Sequence, residues 1–301
     1  GEARLLHITD THAQLNPIYF REPNVNLGLG NAEGQFPHLV GRNLLDALGP
    51  LSERELHAFT CLDFAEAAER FGRVGGFAHL KTLVDRLRGE AGEALVLDGG
   101  DTWQGSGTAL WTKGRDMIDA CNLLGVDVMT GHWEFTYLED QVLENTAAFK
   151  GDFVAQNIRA TEDALFEGVP VYDEDSGHIF PPYNIKTIKG RRIAVVGQAF
   201  PYTPIANPSR FIPNWTFGIQ EQALADLVDQ IRADEQPDAV VLLSHNGMDV
   251  DLKLASRVPG VDFILGGHTH DGIPVPVEVR NAGGVTVVTN AGSNGKFLGV
   301  L

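Results

Sequence analysis

Five apolar runs of the chain each end in acidic or imidazole side chains. The stretches that contain these ends read HITDTHAQ, LVLDGGDTWQG, VMTGHWE, VLLSHNG and ILGGHTHDG. In open α/β sheets, ligands bind beyond the carboxyl ends of the strands, where the loops converge on one crevice. We therefore predict one shared site, and its candidate residues are Asp10, His12, Asp101, His132, His245, His268 and His270.

The number and type of these side chains indicate a pair of divalent cations. Two carboxylates and five imidazoles are too many for one tetrahedral zinc ion, which takes four ligands. Two ions about 3.5 to 4 Å apart can activate water and stabilise an in-line displacement at a phosphoryl-like centre. A mixed nitrogen and oxygen ligand set fits manganese, iron or zinc, and the spacing does not distinguish these metals.

Local spacing indicates how the loops present these groups. Asp10 and His12 are two residues apart, as are His268 and His270, so in an extended backbone both side chains of each pair point the same way. Two glycines precede Asp101 and permit a tight turn close to an ion.

The rest of the chain alternates short apolar runs with amphipathic segments, which favours an α/β fold. The candidate strands are 5–8, 94–98, 126–129, 152–157, 192–197, 239–244, 262–266 and 285–292, and the candidate helices are 75–90, 115–125, 137–149 and 218–235. Residues 16–73 are rich in Asn, Gly and Pro before they turn helical, and we predict an insertion or lid near the strand ends. Residues 199–218 carry many prolines and aromatics and predict a loop that borders a cleft.

Composition excludes several classes of partner. The 301 residues contain 23 Lys and Arg against 40 Asp and Glu, a formal net charge of -17, so no positive field gathers nucleic acid or anionic lipid. No stretch approaches the roughly 18 apolar residues of a membrane span, and we expect a soluble, monomeric chain whose signal peptide has been removed. Cys61 and Cys121 form no zinc-ribbon or disulfide pattern.

The order D-x-H, G-D, G-N-H-E, H and G-H-x-H resembles the calcineurin-like metallophosphoesterases, in particular their 5'-nucleotidase branch. The resemblance runs from residue 4 to the C-terminus with residues 16–73 set aside. It implies an α/β/β/α sandwich of four layers with mixed sheets and a dimetal site at the carboxyl ends of the strands. It also implies that residues 1–301 form the catalytic domain and that the family's C-terminal substrate domain is absent from this chain.

The same resemblance implies which residues bind which ion. Asp10, His12 and His270 hold one ion. Asp101 bridges the two ions, and His245 and His268 hold the second. His132 stands where the family has an asparagine ligand, and an imidazole nitrogen can bind a metal where the amide oxygen did.

Two residues depart from the nucleotidase pattern. Trp133 stands at the position of the family's catalytic histidine, and Thr136 stands at the position of the aspartate that orients this histidine. An indole N–H cannot act as a general acid near neutral pH. A persulfide is stable as an anion and leaves without an acid, so the paired loss favours hydrolysis at a sulfur centre. We therefore predict catalytic roles for Asp101, His132 and Trp133, with a metal-bound hydroxide as nucleophile.

The G-H-W-E variant resembles the thiosulfohydrolases of bacterial sulfur oxidation. This implies a periplasmic enzyme with two Mn²⁺ ions that releases sulfate from a cysteine S-thiosulfonate on the carrier protein SoxY, bound with SoxZ. The alternatives are a metal-dependent phosphomonoesterase of the nucleotidase type and a non-catalytic module that metal stabilises.

Residues near the predicted ligands have less defined roles. Glu134 is expected to hydrogen-bond to backbone or to a ligand, and Asn246 and Asp271 are expected to support the loops. Trp103 and Gln104 either shape the pocket or pack the turn after Asp101. The candidate substrate arginines are Arg21, Arg73 and Arg210.

Overall fold

The computed structural model describes residues 3–20, 28 and 30–301, so Arg21 lies outside the described residues. The strands of this part are β1 (Leu5–Ile8), β2 (Leu95–Asp98), β3 (Val128–Met129), β4 (Asp152–Phe153), β5 (Arg159–Ala160), β6 (Tyr183–Ile188), β7 (Arg191–Gln198), β8 (Trp215–Thr216), β9 (Ala239–Ser244), β10 (Phe263–Gly266), β11 (Val277–Asn281), β12 (Gly284–Asn290) and β13 (Gly299–Val300). The helices are α1 (Gly41–Leu48), α2 (Glu53–Phe59), α3 (Phe64–Phe71), α4 (Phe77–Ala91), α5 (Gly107–Thr112), α6 (Arg115–Leu124), α7 (Glu139–Ala148), α8 (Glu162–Glu167), α9 (Thr203–Ala206), α10 (Glu221–Asp234) and α11 (Met248–Arg257). Short 3-10 helices span Gly30–Ala32, Trp133–Tyr137 and Ser209–Phe211.

The strands form two mixed sheets and a small ribbon. The first sheet has the order β13-β1-β2-β3-β4, in which only β13 runs antiparallel to its neighbour. The second has the order β11-β12-β10-β9-β7-β6, with parallel pairs in the middle and an antiparallel strand at each edge. The ribbon pairs β5 with β8. The predicted α/β class with mixed sheets is confirmed.

Successive side chains of the central strands point to opposite faces of each sheet, and this alternation explains how the two sheets stack. Leu5 and Leu97 belong to an apolar cluster that also contains Val195 and Leu243 of the second sheet, so this cluster lies between the sheets. The intervening residues of the first sheet pack instead with α4, α6 and α7, and the other face of the second sheet packs with α10 and α11. The layers are therefore helix, sheet, sheet and helix. Strands buried on both faces read as continuous apolar runs, which is why the sequence indicated them.

The predicted insertion is partly helical in the described residues. It contains α1, α2 and α3, and α2 begins with a capping box in which Ser52 and Glu55 satisfy each other's backbone N–H groups. An isolated bridge between Ile18 and Val74 joins the two ends of the segment. The role of the segment as a lid stays a prediction.

Two sequence expectations concern membranes and cysteines. Within the described ranges, no helix has both the length and the apolar character needed to cross a bilayer. Cys61 is exposed and Cys121 is buried, and both are free thiols.

Candidate metal centre

The loops that follow the parallel strands bring all seven predicted ligands together at one edge of the sandwich. The side chains fall into two groups, and within each group one potential ligand atom per residue lies within 4.8 Å of the others. The buried group contains Asp101, His132, His245 and His268, and the open group contains Asp10, His12 and His270. This division matches the one that the family resemblance implied, while the binding role of each residue stays a prediction.

Asp101 is the centre of the buried group. Its Oδ2 lies 3.2 Å from His132 Nδ1 and 3.2 Å from His245 Nε2. The other ring nitrogen of His245, Nδ1, donates to the backbone carbonyl of Gly99 at 2.7 Å. This bond sets the tautomer that a neutral His245 adopts, because Nδ1 keeps its hydrogen and leaves the Nε2 lone pair for a cation.

The open group is tied to the first strand loop. His12 Nε2 and His270 Nε2 are 2.9 Å apart, and His270 Nε2 lies 3.4 Å from Asp10 Oδ1. Asp10 also accepts a hydrogen bond of 2.6 Å from Thr9 Oγ1 and is fully buried, whereas both imidazoles are partly exposed. The open group is therefore reachable from solvent.

Several nitrogen atoms of the centre lack a good hydrogen-bond partner and are placed to bind cations. His132 Nε2 is buried without a hydrogen-bond partner within the described chain. The two imidazole nitrogens of the open group face each other, and one cation between them would satisfy both lone pairs. Nitrogen and carboxylate donors without thiolate are the set that manganese, iron and zinc accept. The residues present therefore fit a dinuclear metal centre.

The charges of the centre are coupled. Burial works to lower the pKa of His245, but the carboxylates of Asp101 and Asp10 outweigh it and raise the pKa to about 10. Burial and the neighbouring charge of His245 lower the pKa of His268 to about 3. Burial opposes ionisation of Asp10, yet His245 and His270 hold its pKa at about 2. Cations that bind here replace protonated His245 as the partner of the carboxylates, and we expect binding to release protons.

The backbone of the ligand loops differs from the expectation. Five of the seven predicted ligands have φ between 50° and 75°, in the left-handed region, namely Asp10, His12, Asp101, His268 and His270. The expectation of extended backbone at the two i, i+2 pairs is therefore wrong. Side chains of Asp10 and His12 still share the open group, but His268 and His270 join different groups. Non-glycine residues rarely adopt this conformation, which concentrates at functional sites.

Glu134 holds the loops of the buried group together. It is fully buried, and its carboxylate accepts hydrogen bonds from the backbone N–H groups of His132 at 2.7 Å and Thr102 at 2.7 Å. It accepts two more, from Asp101 at 3.2 Å and Trp103 at 3.1 Å. All four donors are backbone N–H groups, which fits the prediction that Glu134 supports the ligand loops, and its role stays a prediction.

Aromatic rings surround His132. The indole of Trp133 lies 4.7 Å from the His132 ring between centroids, and the backbone N–H of Trp133 donates to Asp101 Oδ1 at 2.7 Å. Thr136 donates its hydroxyl to the Trp133 carbonyl at 2.7 Å. Phe200 lies 4.1 Å from the rings of both His132 and His268. The sequence did not single out Phe200, and the only signal was its place directly after β7 in the predicted cleft loop.

The remaining predicted residues lie around this centre. Trp103 is fully buried and packs on Phe153 at 5.7 Å, so it belongs to the core. Asn246 donates to Asp251, and Asp271 accepts from Thr269. These contacts stabilise the loops. Gln104 is half-buried.

The two described arginine candidates stack on aromatic rings. Arg73 lies over Tyr19 at 5.5 Å and Arg210 lies over Phe211 at 5.0 Å. Their roles in substrate binding stay predictions.

Comparison with protein families agrees with this geometry. Residues 3–272 match the model of the calcineurin-like phosphoesterases. The chain belongs to this family. Its fold is that of a metallophosphoesterase, and its two groups of candidate ligands fit the dinuclear metal centre of that superfamily.

The similar proteins are named for two different activities. The 5'-nucleotidase of Rattus norvegicus is 32% identical over 248 residues, which cover 76% of this chain and 40% of the relative. The solved structure of Thermus thermophilus sulfate thiohydrolase SoxB in complex with glycerol is 36% identical with a TM-score of 0.85, and the match covers 100% of this chain and 53% of that one. A 5'-nucleotidase precursor from Thermus thermophilus shares the fold with a TM-score of 0.70 at 24% identity, over 99% of this chain and 50% of that one. The chain thus spans about half or less of the length of these relatives.

Proposed function

We propose that the chain is the dimetal catalytic part of a thiosulfohydrolase, which releases sulfate from a cysteine S-thiosulfonate on a sulfur carrier protein. One observation carries this proposal. Trp133, and not a histidine, stands beside the buried metal group, 4.7 Å from His132, and Thr136 replaces the partner aspartate by bonding to backbone. The site therefore lacks the acid pair that the nucleotidase branch uses, as the family resemblance describes it.

The proposed reaction needs no proton donor for its leaving group. The oxygen of water bonds to the sulfonate sulfur, the sulfur–sulfur bond breaks, and its electron pair leaves with the persulfide. Sulfate is released, and the two protons of the water pass to solvent. A pair of divalent cations, when bound, activates the water and stabilises negative charge that develops on the oxygens.

The chain's own residues provide the positioning. Asp101, held by the backbone N–H of Trp133, directs a carboxylate at both His132 and His245. Glu134 fixes the loops, and the indole of Trp133 forms an apolar wall that excludes water beside His132. Electrostatic stabilisation is strongest where such groups are already in place and water is excluded.

Access is from the open group. A cleft of about 420 Å³ lies beside it, lined by His12, Gln14, Asn16, Ser106 and Asn294 among other residues. None of the residues that line the cleft is acidic, so the negative net charge of the chain is not concentrated there. An anionic sulfonate therefore meets little local repulsion there.

The similarity to sulfate thiohydrolase SoxB supports the same proposal, since it covers the whole chain at 36% identity. On this basis we propose a periplasmic location, Mn²⁺ as the metal, and the carrier protein SoxY with SoxZ as partner. These finer proposals rest on resemblance.

The test presents two substrates to the manganese-loaded protein. One is a carrier peptide with cysteine S-thiosulfonate, and the other is a nucleoside monophosphate. We expect sulfate release with negligible phosphate release, and ion chromatography measures both anions. Phosphate release without sulfate release would instead establish the phosphomonoesterase alternative, which the rat 5'-nucleotidase similarity favours. No turnover of either substrate, together with a Tm that rises with Mn²⁺, would identify a non-catalytic module.

A further inference from the structure

A second cavity lies away from the metal ligands, between the insertion helices and the segment that follows β12. It measures about 300 Å³ and is lined by Arg54, His57, Ala58, Phe71, Val74 and Lys296. Three of the six side chains are basic and three are apolar. No acidic residue lines it, although acidic residues exceed basic ones by 17 in the chain.

The two cations of this cavity have no carboxylate partner in the described part of the chain. The ammonium of Lys296 lies 5.2 Å from the ring centre of Phe20 and 5.4 Å from that of Phe297, and it makes no ion pair there. Arg54 likewise makes no ion pair within the same ranges, whereas the nearby Arg70 pairs with Glu53. Burial lowers the pKa of Lys296 to about 8, so an anion beside it would favour its charged form.

His57 provides an independent sign of a ligand. Its side chain is 93% buried, being 7% exposed, and Nε2 has no hydrogen-bond partner among the described residues. The ring stacks on Phe71 at 5.4 Å with an interplanar angle of 16°. Burial and the charge of Lys296 both lower the pKa of His57, and an imidazole N–H is a hydrogen-bond donor. A buried polar atom without a partner costs free energy that a bound acceptor would recover.

A neighbouring cavity has a different lining. It is lined by Glu53, Asp63 and Glu66 together with Arg70, and it shares His57 and Phe71 with the basic cavity. The acidic side chains of α2 and α3 therefore line the neighbouring cavity, and the basic cavity contains none of them.

We propose that the basic cavity binds a small organic anion, with its acid group between Arg54 and Lys296 and an apolar body against Phe71 and Val74. A carboxylate, sulfonate or phosphate group meets the same donors, and the apolar half distinguishes such ligands from inorganic oxyanions. The proposal is independent of the proposed function, because none of these residues belongs to the metal centre.

The experiment is calorimetric titration of the protein with benzenesulfonate, inorganic sulfate and benzyl alcohol. We expect benzenesulfonate to bind with one site, and both other probes to bind at least about tenfold more weakly, since each lacks one half of the recognised ligand. Lys296→Gln and Arg54→Gln should each weaken benzenesulfonate at least about tenfold. The matched control is Arg86→Gln, which removes a charge from an exposed arginine of α4.

A second readout locates the bound anion. Reductive methylation with ¹³C-formaldehyde labels the lysines, and the signal of Lys296 is assigned by its absence in Lys296→Gln. Benzenesulfonate should shift this signal with the same Kd that calorimetry gives. The proposal is overturned if Arg86→Gln weakens binding as much as Lys296→Gln, if sulfate or benzyl alcohol binds as tightly as benzenesulfonate, or if the Lys296 signal does not move. Binding at the metal centre alone would leave both variants unchanged and would also overturn it.

Discussion

The two metal groups use similar side chains in different surroundings. Asp101, His132 and His245 of the buried group are at most 1% exposed, whereas both imidazoles of the open group are partly exposed beside a cleft. Four backbone N–H groups donate to Glu134 beside the buried group, while His270 of the open group contacts His12 and Asp10. The comparison indicates that more hydrogen bonds hold the loops of the buried group and that the open group is the accessible half of the centre. We expect the ion of the buried group to exchange more slowly.

The largest effect is expected for Asp101→Ala. This change removes the carboxylate that faces both His132 and His245, so the buried group loses its ion and sulfate release falls by about 10³-fold or more. Metal content by mass spectrometry and turnover measure both effects, with circular dichroism as a check of folding. The control Asp119→Ala changes an exposed aspartate of α6 and should leave both unchanged. If Asp101→Ala still binds two ions, Asp101 is not the central ligand of the buried group.

The comparison between the groups is tested directly by His132→Ala and His12→Ala. His132→Ala should abolish activity and the binding of one metal ion even in excess Mn²⁺, because the site is buried and solvent cannot easily replace the lost ligand. The second should weaken the open ion, and millimolar Mn²⁺ should restore part of the activity. Equal rescue of both variants would mean that the groups do not differ as proposed.

Trp133→His is the matched change beside the buried group. We assign the Trp133 side chain to the wall of the site and not to the ligands, so both ions should stay bound in this variant. The metal content of this variant tests whether His132 is the ligand and Trp133 is the wall. If an ion were lost, the assignment of His132 as ligand and Trp133 as wall would be wrong.

A smaller effect is expected for Glu134→Gln. The amide keeps the shape of the side chain but loses the charge that accepts four backbone N–H groups. The free energy of unfolding should fall by about 2 kcal/mol, as for hydrogen bonds to charged groups, and affinity for the buried ion should fall about 10- to 100-fold. Urea unfolding and metal titration measure these changes. Glu144→Gln alters an exposed glutamate of α7 and should change neither.

A prediction of a different kind concerns pH and Asp98, whose carboxylate accepts hydrogen bonds from Gly100 N and Thr102 Oγ1 on either side of Asp101. Burial raises the pKa of Asp98 to about 8 from an ordinary value of 3.8. The folded chain therefore binds this proton more strongly than the unfolded chain, and unfolding free energy declines as pH rises from about 4 to about 8. Asp98→Asn should remove this decline. Urea unfolding between pH 5 and 9 should show the two proteins converging at low pH, and parallel curves would contradict it.

Much of the fold could be predicted because the central strands are buried on both faces and read as apolar runs. The edge strands β6 and β11 were not predicted, since polar residues interrupt their apolar residues and neither strand is buried along its length. Helix α11 was missed for a different reason. Its sequence MDVDLKL alternates apolar and polar residues as a strand does, and its buried face includes Asp251, which accepts a hydrogen bond from Ser244.

The candidate site was predictable in composition and less so in geometry. Strand ends indicated which histidines converge, because loops after parallel strands meet at one edge. The spacing of His268 and His270 did not reveal that they join different groups, since both residues have positive φ and the loop between them is not extended. Phe200 could not be identified because its contacts with His132 and His268 join distant parts of the chain.

The distance along the chain between facing ligands has a consequence for biosynthesis. His12 and His270 meet across 258 residues, and the buried group likewise joins loops of both sheets. An unfolded or partly synthesised chain offers a cation only short pairs such as Asp10 and His12, and such a pair binds far more weakly than a folded site. We therefore expect metal to enter after both sheets have docked. The folded cavity, together with the metals available when folding ends, would then select the ion, and the nascent polypeptide would take little part in that choice.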